Sequence, residues 1–205
     1  LLRCTMNCDS PARASSRISL RTDCNSKRCP MSFIYSWSLF RNYRNGSHPQ
    51  WSPQTDFHSL LSTKVDSKNL VIKEQMLATG ASYRVKVDVK SPNGSFGWAA
   101  YQFDTLAVPS GGKCNGTQLD KKDVGSWVII TCQGWKDENM PLSYEFFQEL
   151  EDGELDMLSY GVWPHSIFHI PPSDKDVVIF KVAIVNVEGA AFTTGFSIKV
   201  LYFDI

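Results

Sequence analysis

The residues best able to do chemistry in this 205-residue chain are its six cysteines and four histidines. His165 and His169 stand four apart, the spacing that puts two imidazoles on one face of a zinc-binding helix with a glutamate between them. Here Ser166-Ile167-Phe168 fills the interval and Pro171-Pro172 follows, so the segment reads as a strand. A strand would hold the two rings about 13 Å apart on one sheet face, too far to share an ion. Nucleophilic catalysis needs a hydroxyl or thiol beside a base, and the sequence offers His48, His58, His165 and His169 with no G-x-S-x-G elbow. Gly111-Gly112 precedes a cysteine with no helix start behind it, so no phosphate cradle forms there. No catalytic residue, cofactor or metal is therefore assigned, and the chain is expected not to be an enzyme. An extracellular hydrolase fragment using His165 or His169 is the alternative from another class.

The cysteines divide into Cys4, Cys8, Cys24 and Cys29 near the N-terminus and Cys114 and Cys132 further on. An even count split four and two fits disulfides confined to two separate units. Cys114 is expected to pair with Cys132, since the loop between them is short enough to close and both lie in one unit. The other four should pair among themselves, in an order the spacing leaves open. C-x3-C followed at a distance by C-x4-C also approaches a tetrahedral zinc set, which would describe a zinc-stabilised intracellular adaptor. Against that stand three glycosylation acceptors, Asn45-Gly46-Ser47, Asn93-Gly94-Ser95 and Asn115-Gly116-Thr117. Each has glycine in the middle and reads as a turn between strand-like runs, where a glycan leaves its bulk in solvent. Oxidising extracellular space is the expected setting.

Charge adds little direction. Lys+Arg and Asp+Glu both number 21, which removes the electrostatic reason to expect nucleic acid as a partner. Asp137-Glu138-Asn139 and Glu151-Asp152-Gly153-Glu154-x-Asp156 crowd oxygen ligands as calcium requires, but neither follows the EF-hand pattern, and solvated hairpin tips use the same residues. Arg13, Arg17, Arg21, Lys27 and Arg28 surround the first cysteine cluster, and Arg41 and Arg44 flank the first acceptor asparagine. An anionic glycan could dock there, although a solvated loop of a neutral protein has the same composition. Trp51, Trp98, Trp127, Trp135 and Trp163 read as core or edge residues, with Trp135 placed to cover the nearby disulfide.

These residues are carried on strands. Met31, Phe33, Tyr35, Trp37 and Leu39 alternate with smaller side chains, which puts Trp37 in a core. Tyr83, Val85, Val87 and Val89 alternate with Arg84, Lys86, Asp88 and Lys90, and Asn93-Gly94 turns the chain into a returning strand from Phe96 to Phe103. Further strands are expected at Arg17 to Cys24, Asn69 to Glu74, Ser126 to Gln133, Ser143 to Glu149, Ser166 to Ile170, Val177 to Asn186 and Phe192 to Tyr202. No stretch reaches the roughly 18 apolar residues of a membrane helix, and the absence of an initial Met suggests a piece of a longer chain. Val108-Pro109-Ser110-Gly111-Gly112 reads as a short linker, giving units 1–108 and 109–205. Both pair a cysteine-bearing strand with an aromatic one downstream. The fold class is all-β: two tandem antiparallel β-sandwiches of fibronectin type III-like or immunoglobulin-like type, stapled by disulfides.

The order Cys4-x-x-Asn7-Cys8, Cys24, Tyr35-x-Trp37, Tyr83-x-Val85-x-Val87, Pro109-x-Gly111-Gly112-x-Cys114, Cys132-x-x-Trp135-x-Asp137 and Pro141-Leu142-x-Tyr144 resembles the receptor-for-egg-jelly (REJ) module of the polycystin-1 family and of sea-urchin sperm receptors. The resemblance covers most of the chain and is most specific from Pro109 through Tyr144. It implies tandem sandwiches in the ectodomain of a membrane receptor, in a ciliary or sperm membrane, acting as spacer and recognition surface. The implied partners are neighbouring modules of the same chain, a polycystin-2-like cation channel subunit reached through the full-length protein, and an extracellular protein or glycan ligand.

Overall fold

The computed structural model describes residues 1–9, 11–23, 32–43, 49–119, 126–171 and 177–200. The chain divides into two compact units, Leu1–Ala107 and Val108–Ile205. The first contains β1 (Leu2–Met6), β2 (Ile18–Thr22), β3 (Ile34–Tyr43), β4 (Gln50–Pro53), β5 (Asn69–Ile72), β6 (Ser82–Lys90) and β7 (Phe96–Asp104), with a 3-10 turn at Phe57–Leu60. The second contains β8 (Lys113–Gln118), β9 (Ser126–Gln133), β10 (Ser143–Glu149), β11 (Leu155–Gly161), β12 (His165–Ile170), β13 (Val177–Val185) and β14 (Ala191–Lys199).

Both units solve the same packing problem in the same way. The sheets run β1-β2-β5 and β4-β3-β6-β7 in the first unit, β12-β9-β8 and β11-β10-β13-β14 in the second. In each, the first, second and fifth strands form one sheet and the fourth, third, sixth and seventh the other, and paired strands are antiparallel throughout. The protein is thus all-β, with two disulfide-stapled antiparallel sandwiches of fibronectin type III-like type.

The period of two decides what lies inside. In the first unit Ile18, Leu20, Leu70 and Ile72 from one sheet meet Trp37, Leu39, Val85, Val87 and Phe103 from the other. In the second, Val128, Ile130 and Phe168 meet Phe146, Phe180, Val182 and Ile184. Burying each of these side chains stabilises its unit by about 1.5–3 kcal/mol, which the ordering of the chain largely offsets. Trp37, expected in the core, is buried and donates its indole N–H to Ser67 O at 2.8 Å. Four strands were not expected from the sequence: β1, β4, β8 and β11.

The stretch read as a linker is partly built into the second unit. Ser110 and Lys136 exchange both backbone hydrogen bonds, at 2.9 and 3.0 Å, so the sheet framework starts before the glycines end.

Tyr83 opens β6 and forms a tyrosine corner. Its ring stacks on Phe103 at 5.8 Å, and its hydroxyl accepts the N–H of Ala78 at 2.9 Å. Burial pushes its phenol pKa above the ordinary value despite that hydrogen bond, and burial does the same to Tyr144 in the second unit. A raised folded-state pKa gives stability that is complete below the unfolded value, about 10, and is lost as pH rises through the folded one. Tyr83→Phe is expected to lower the stability of the first unit by about 1–2 kcal/mol at pH 7, because the Ala78 N–H loses its acceptor. The variant should also lose part of the parent's further destabilisation above about pH 10. Denaturant melts at pH 7 and pH 11 check both; equal losses in parent and variant at high pH would contradict the alkaline part.

Candidate functional site

The first cysteine cluster begins where β1 ends. A β-bulge between Cys4 and Met6 turns the chain, Asn7 takes a positive φ of 48°, and Cys4 and Cys8 close a disulfide with Cα atoms 5.7 Å apart. Asparagine is among the few non-glycine residues that adopt this conformation readily. Its side chain is fully used: Nδ2 donates to Arg13 O at 2.8 Å, and Oδ1 accepts the Arg13 N–H at 2.9 Å. The Tyr101 hydroxyl donates to Cys8 O at 2.9 Å, tying the knot to β7. The disulfide takes up the two sulfurs that a C-x3-C zinc half-site would need. Cys24 and Cys29 lie outside the described residues, as do Lys27, Arg28 and Arg44.

Two cations of the expected basic patch have carboxylate partners. Arg17 meets Glu74 at 2.8 Å, and Arg21 reaches Asp23 at 3.2 Å, an aspartate that Arg3 also approaches at 3.3 Å. The hydrogen bond and charge of Glu74 raise the Arg17 pKa, and the same hydrogen bond holds the Glu74 carboxyl below its ordinary range.

The second cluster explains the most specific motif as one piece of packing. Cys114 and Cys132 are directly opposed on β8 and β9 and joined by a disulfide, with Cα atoms 4.0 Å apart. Trp135 packs on the same core as this pair and lies against Phe192 at 5.2 Å. Its indole also sits on the backbone of Gly112, where a Cβ would fall 2.3–2.5 Å from the ring. Gly112 is therefore a seat for Trp135 rather than a flexible joint. Gly111 and Gly134 both have positive φ, 78° and 79°, where the two chain segments turn beside each other.

The acidic clusters are hairpin chemistry. Asp137 accepts the Asn139 N–H at 2.7 Å and both its oxygens lie 3.2 Å from Asn186 Nδ2, which fastens it to the β13–β14 turn. At the β10–β11 turn Gly153 has a φ of 84° and Asp152 Oδ1 accepts the Glu154 N–H at 3.0 Å. Among the described residues no three His, Cys, Asp or Glu side chains converge as a metal set. His165 and His169 occupy the exposed face of β12, opposite Thr131 and Trp127 of β9, and the His169 ring meets Trp127 edge-on at 5.1 Å.

The acceptor asparagines are differently placed. Asn93 lies in the β6–β7 turn, its Oδ1 accepting from the Ser91 hydroxyl and the Ser95 N–H. Asn45 lies outside the described residues. Asn115 is a correction to the turn expected there, because it stands inside β8, exposed, opposite Thr131. Its neighbour Gly116 is glycine for packing: a Cβ would lie 2.2 Å from Ile198 Cδ1.

Sequence reasoning missed the outward face of β4-β3-β6-β7. A groove of about 510 Å³ is lined there by Phe40, Trp51, Arg84, Lys86, Trp98 and Ala100. Alternation puts Arg84, Lys86 and Lys90 on this face of β6 and Phe96 and Trp98 on this face of β7. Trp98 is 66% exposed on the edge strand β7 and Trp163, in the second unit, is 71% exposed, so neither is a core residue. The signal was present in the sequence: Trp98 falls in register with the wet positions of β6.

Gly112→Ala should force the Trp135 indole from its seat and destabilise the second unit by about 1–3 kcal/mol, leaving the first unit's transition unchanged. Tryptophan fluorescence during denaturant unfolding of the parent and the variant tests this, and coincident curves would contradict it.

Comparison with solved structures finds the FN1-FN3 domains of chicken CNTN1 (TM-score 0.37, 9% identity, 94% of this chain and 65% of that one). It also finds murine CEACAM1b (TM-score 0.31, 11% identity, 91% and 92%) and a two fibronectin type III domain segment of chicken tenascin (TM-score 0.31, 14% identity, 98% of each). No curated protein sequence gives a significant match. The Cys4–Cys8 and Cys114–Cys132 disulfides fit an extracellular location. The model of the REJ domain matches residues 1–204, essentially the whole chain, and the protein belongs to the REJ domain family.

Proposed function

We propose that this chain is a non-catalytic extracellular module of a polycystin-1-like membrane receptor or channel subunit, serving as a structural spacer and as a protein- or carbohydrate-binding surface. The observation that carries the reading is the match to the REJ domain over residues 1–204. The physical properties of the two units agree with it. Each is a sandwich whose inner faces are filled by apolar side chains and whose strand ends are stapled covalently, as suits a rigid unit in a tandem array. The exposed sheet faces carry tryptophan, arginine and histidine, residues suited to recognition.

On this reading the module positions neighbouring ectodomain modules of its own chain. It contributes to assembly with a polycystin-2-like cation channel subunit through the full-length protein, and presents a surface to an extracellular protein or glycan on a ciliary or sperm membrane. In-frame removal of residues 1–204 from the parent receptor is expected to reduce surface delivery, channel-subunit assembly or ligand response, measured by surface labelling, co-purification and calcium signal. If all three stay intact, the reading is wrong.

Non-reducing peptide mapping of material secreted from animal cells is expected to show Cys4 joined to Cys8 and Cys114 to Cys132, with glycan on at least one of Asn45, Asn93 and Asn115. Free thiols with stoichiometric zinc would move the protein inside the cell.

A further inference from the structure

The two cations in the groove on β4-β3-β6-β7 differ in how they are compensated. Lys86 Nζ lies 2.9 Å from Asp88 Oδ1 and 6.0 Å from the Trp98 ring. Arg84 has no carboxylate partner among the described residues. Its guanidinium carbon sits 4.1 Å from the centroid of the Trp51 ring, and one terminal nitrogen approaches Gln102 Oε1 at 3.4 Å. Stacking on an indole fixes the plane of a guanidinium and leaves its N–H edge in that plane available, so orienting it for a ligand costs little further entropy. That edge matches a carboxylate, which accepts two parallel N–H donors.

The rest of the lining sets what the carboxylate must be attached to. Trp51, Trp98 and Phe40 supply flat apolar surface, and Ala100 adds little bulk. A volume of about 510 Å³ is that of a small-ligand site. A pyranose ring offers an apolar C–H face to an aromatic ring and hydroxyls to the Lys86–Asp88 pair. An aspartate or glutamate of a protein partner would satisfy Arg84 but would bring no ring to lie on the exposed indole of Trp98.

We infer that this groove binds a sugar carrying a carboxylate, a sialic or uronic acid, with Arg84 holding the carboxylate and Trp98 stacking on the ring. The inference rests on the proposed binding role and names the ligand class for it.

The test titrates the secreted 205-residue chain with 3′-sialyllactose, with a hyaluronan tetrasaccharide, and with lactose as the neutral counterpart, following binding by calorimetry. At least one acidic sugar should bind saturably, with lactose at least ~10-fold weaker. Arg84→Gln should weaken binding at least ~10-fold, the loss expected when one charge-assisted contact worth about 1.4 kcal/mol is removed. Trp98→Ala, which removes the stacking surface for the ring, should also weaken it at least ~10-fold. Arg84→Lys should fall between, since it keeps the charge and loses the fork. Arg3→Gln, outside the groove, should bind as the parent does. Circular dichroism and melting temperature confirm that each variant is folded.

The inference is overturned if neither acidic sugar binds, if lactose binds as well, or if the folded groove variants bind like the parent. It is equally overturned if a poly-glutamate peptide binds while both sugars are silent, which would assign the face to an acidic protein partner. A silent groove in a module whose deletion still impairs the receptor would end this inference and leave the receptor reading standing.

Discussion

Every placement in this molecule depends on the two-residue period of the β-strand. Each unit has roughly a hundred residues with which to fill the space between two sheets, a size at which the core leaves only a small surplus of stability. The inner faces of the strands must therefore be apolar almost without exception, and a one-residue slip would move a whole set of side chains to the wrong side. On β6 the result is Tyr83, Val85 and Val87 inside, with Arg84, Lys86 and Asp88 outside. The register that builds the core also sets which residues can meet a ligand. Turns and strand ends are fixed separately, by the Asn7 clamp, the Cys4–Cys8 and Cys114–Cys132 disulfides and the Tyr83 corner.

How much of this was legible follows from where a strand sits. Ser126–Gln133 and Ser143–Glu149 were read at their observed bounds, and the β6–β7 hairpin nearly so. β2, β3, β6, β9, β10 and β13 lie inside their sheets, paired on both sides. The four strands missed, β1, β4, β8 and β11, are all sheet edges. An edge strand needs fewer apolar residues and tolerates what interrupts a pattern: Pro53 ends β4, Gly116 sits inside β8, and Cys4 with a bulge ends β1. The edges β5, β7, β12 and β14 keep enough apolar pattern to be legible, whereas these four have none and are held by a neighbour that no local window contains.

The same blindness to neighbours explains the misread glycines. Gly112 looked like linker and Gly116 like a turn, since glycine's local meaning is freedom of φ. Here both stand where another side chain, Trp135 or Ile198, occupies the space of a Cβ. That reason lies across the fold and leaves no local trace. For Trp98 the sequence leaves core and edge both open, since large aromatics are usually at least partly buried, although its parity on β7 places it with Arg84 and Lys86 on the outer face. Conversely, the motif from Pro109 to Trp135 was legible as a motif without its cause. The cause is a single contact between an indole and a glycine backbone, next to a disulfide.

The geometry of an outer sheet face also explains why such a surface favours recognition over catalysis. A base and nucleophile must come within about 2.6–3.2 Å, in a site dry enough to strengthen their interaction. Side chains on one face of a sheet stand about 4.5–5.5 Å apart across strands and about 6.6 Å apart along one, all pointing the same way into solvent. His165 and His169 share the exposed face of β12 with Ile167 between them, four residues and so about 13 Å apart along the strand. An array of that kind is suited to lying against something flat and extended. On β4-β3-β6-β7 the spacing lets Trp51 hold Arg84 in place while Trp98 stays largely exposed, so a fixed charge stands beside an accessible aromatic ring. The core requires none of this, since Tyr83, Val85 and Val87 would pack equally well beneath serine or threonine at the alternate positions. What the period of two leaves unconstrained on the outside is where this module can carry its specificity.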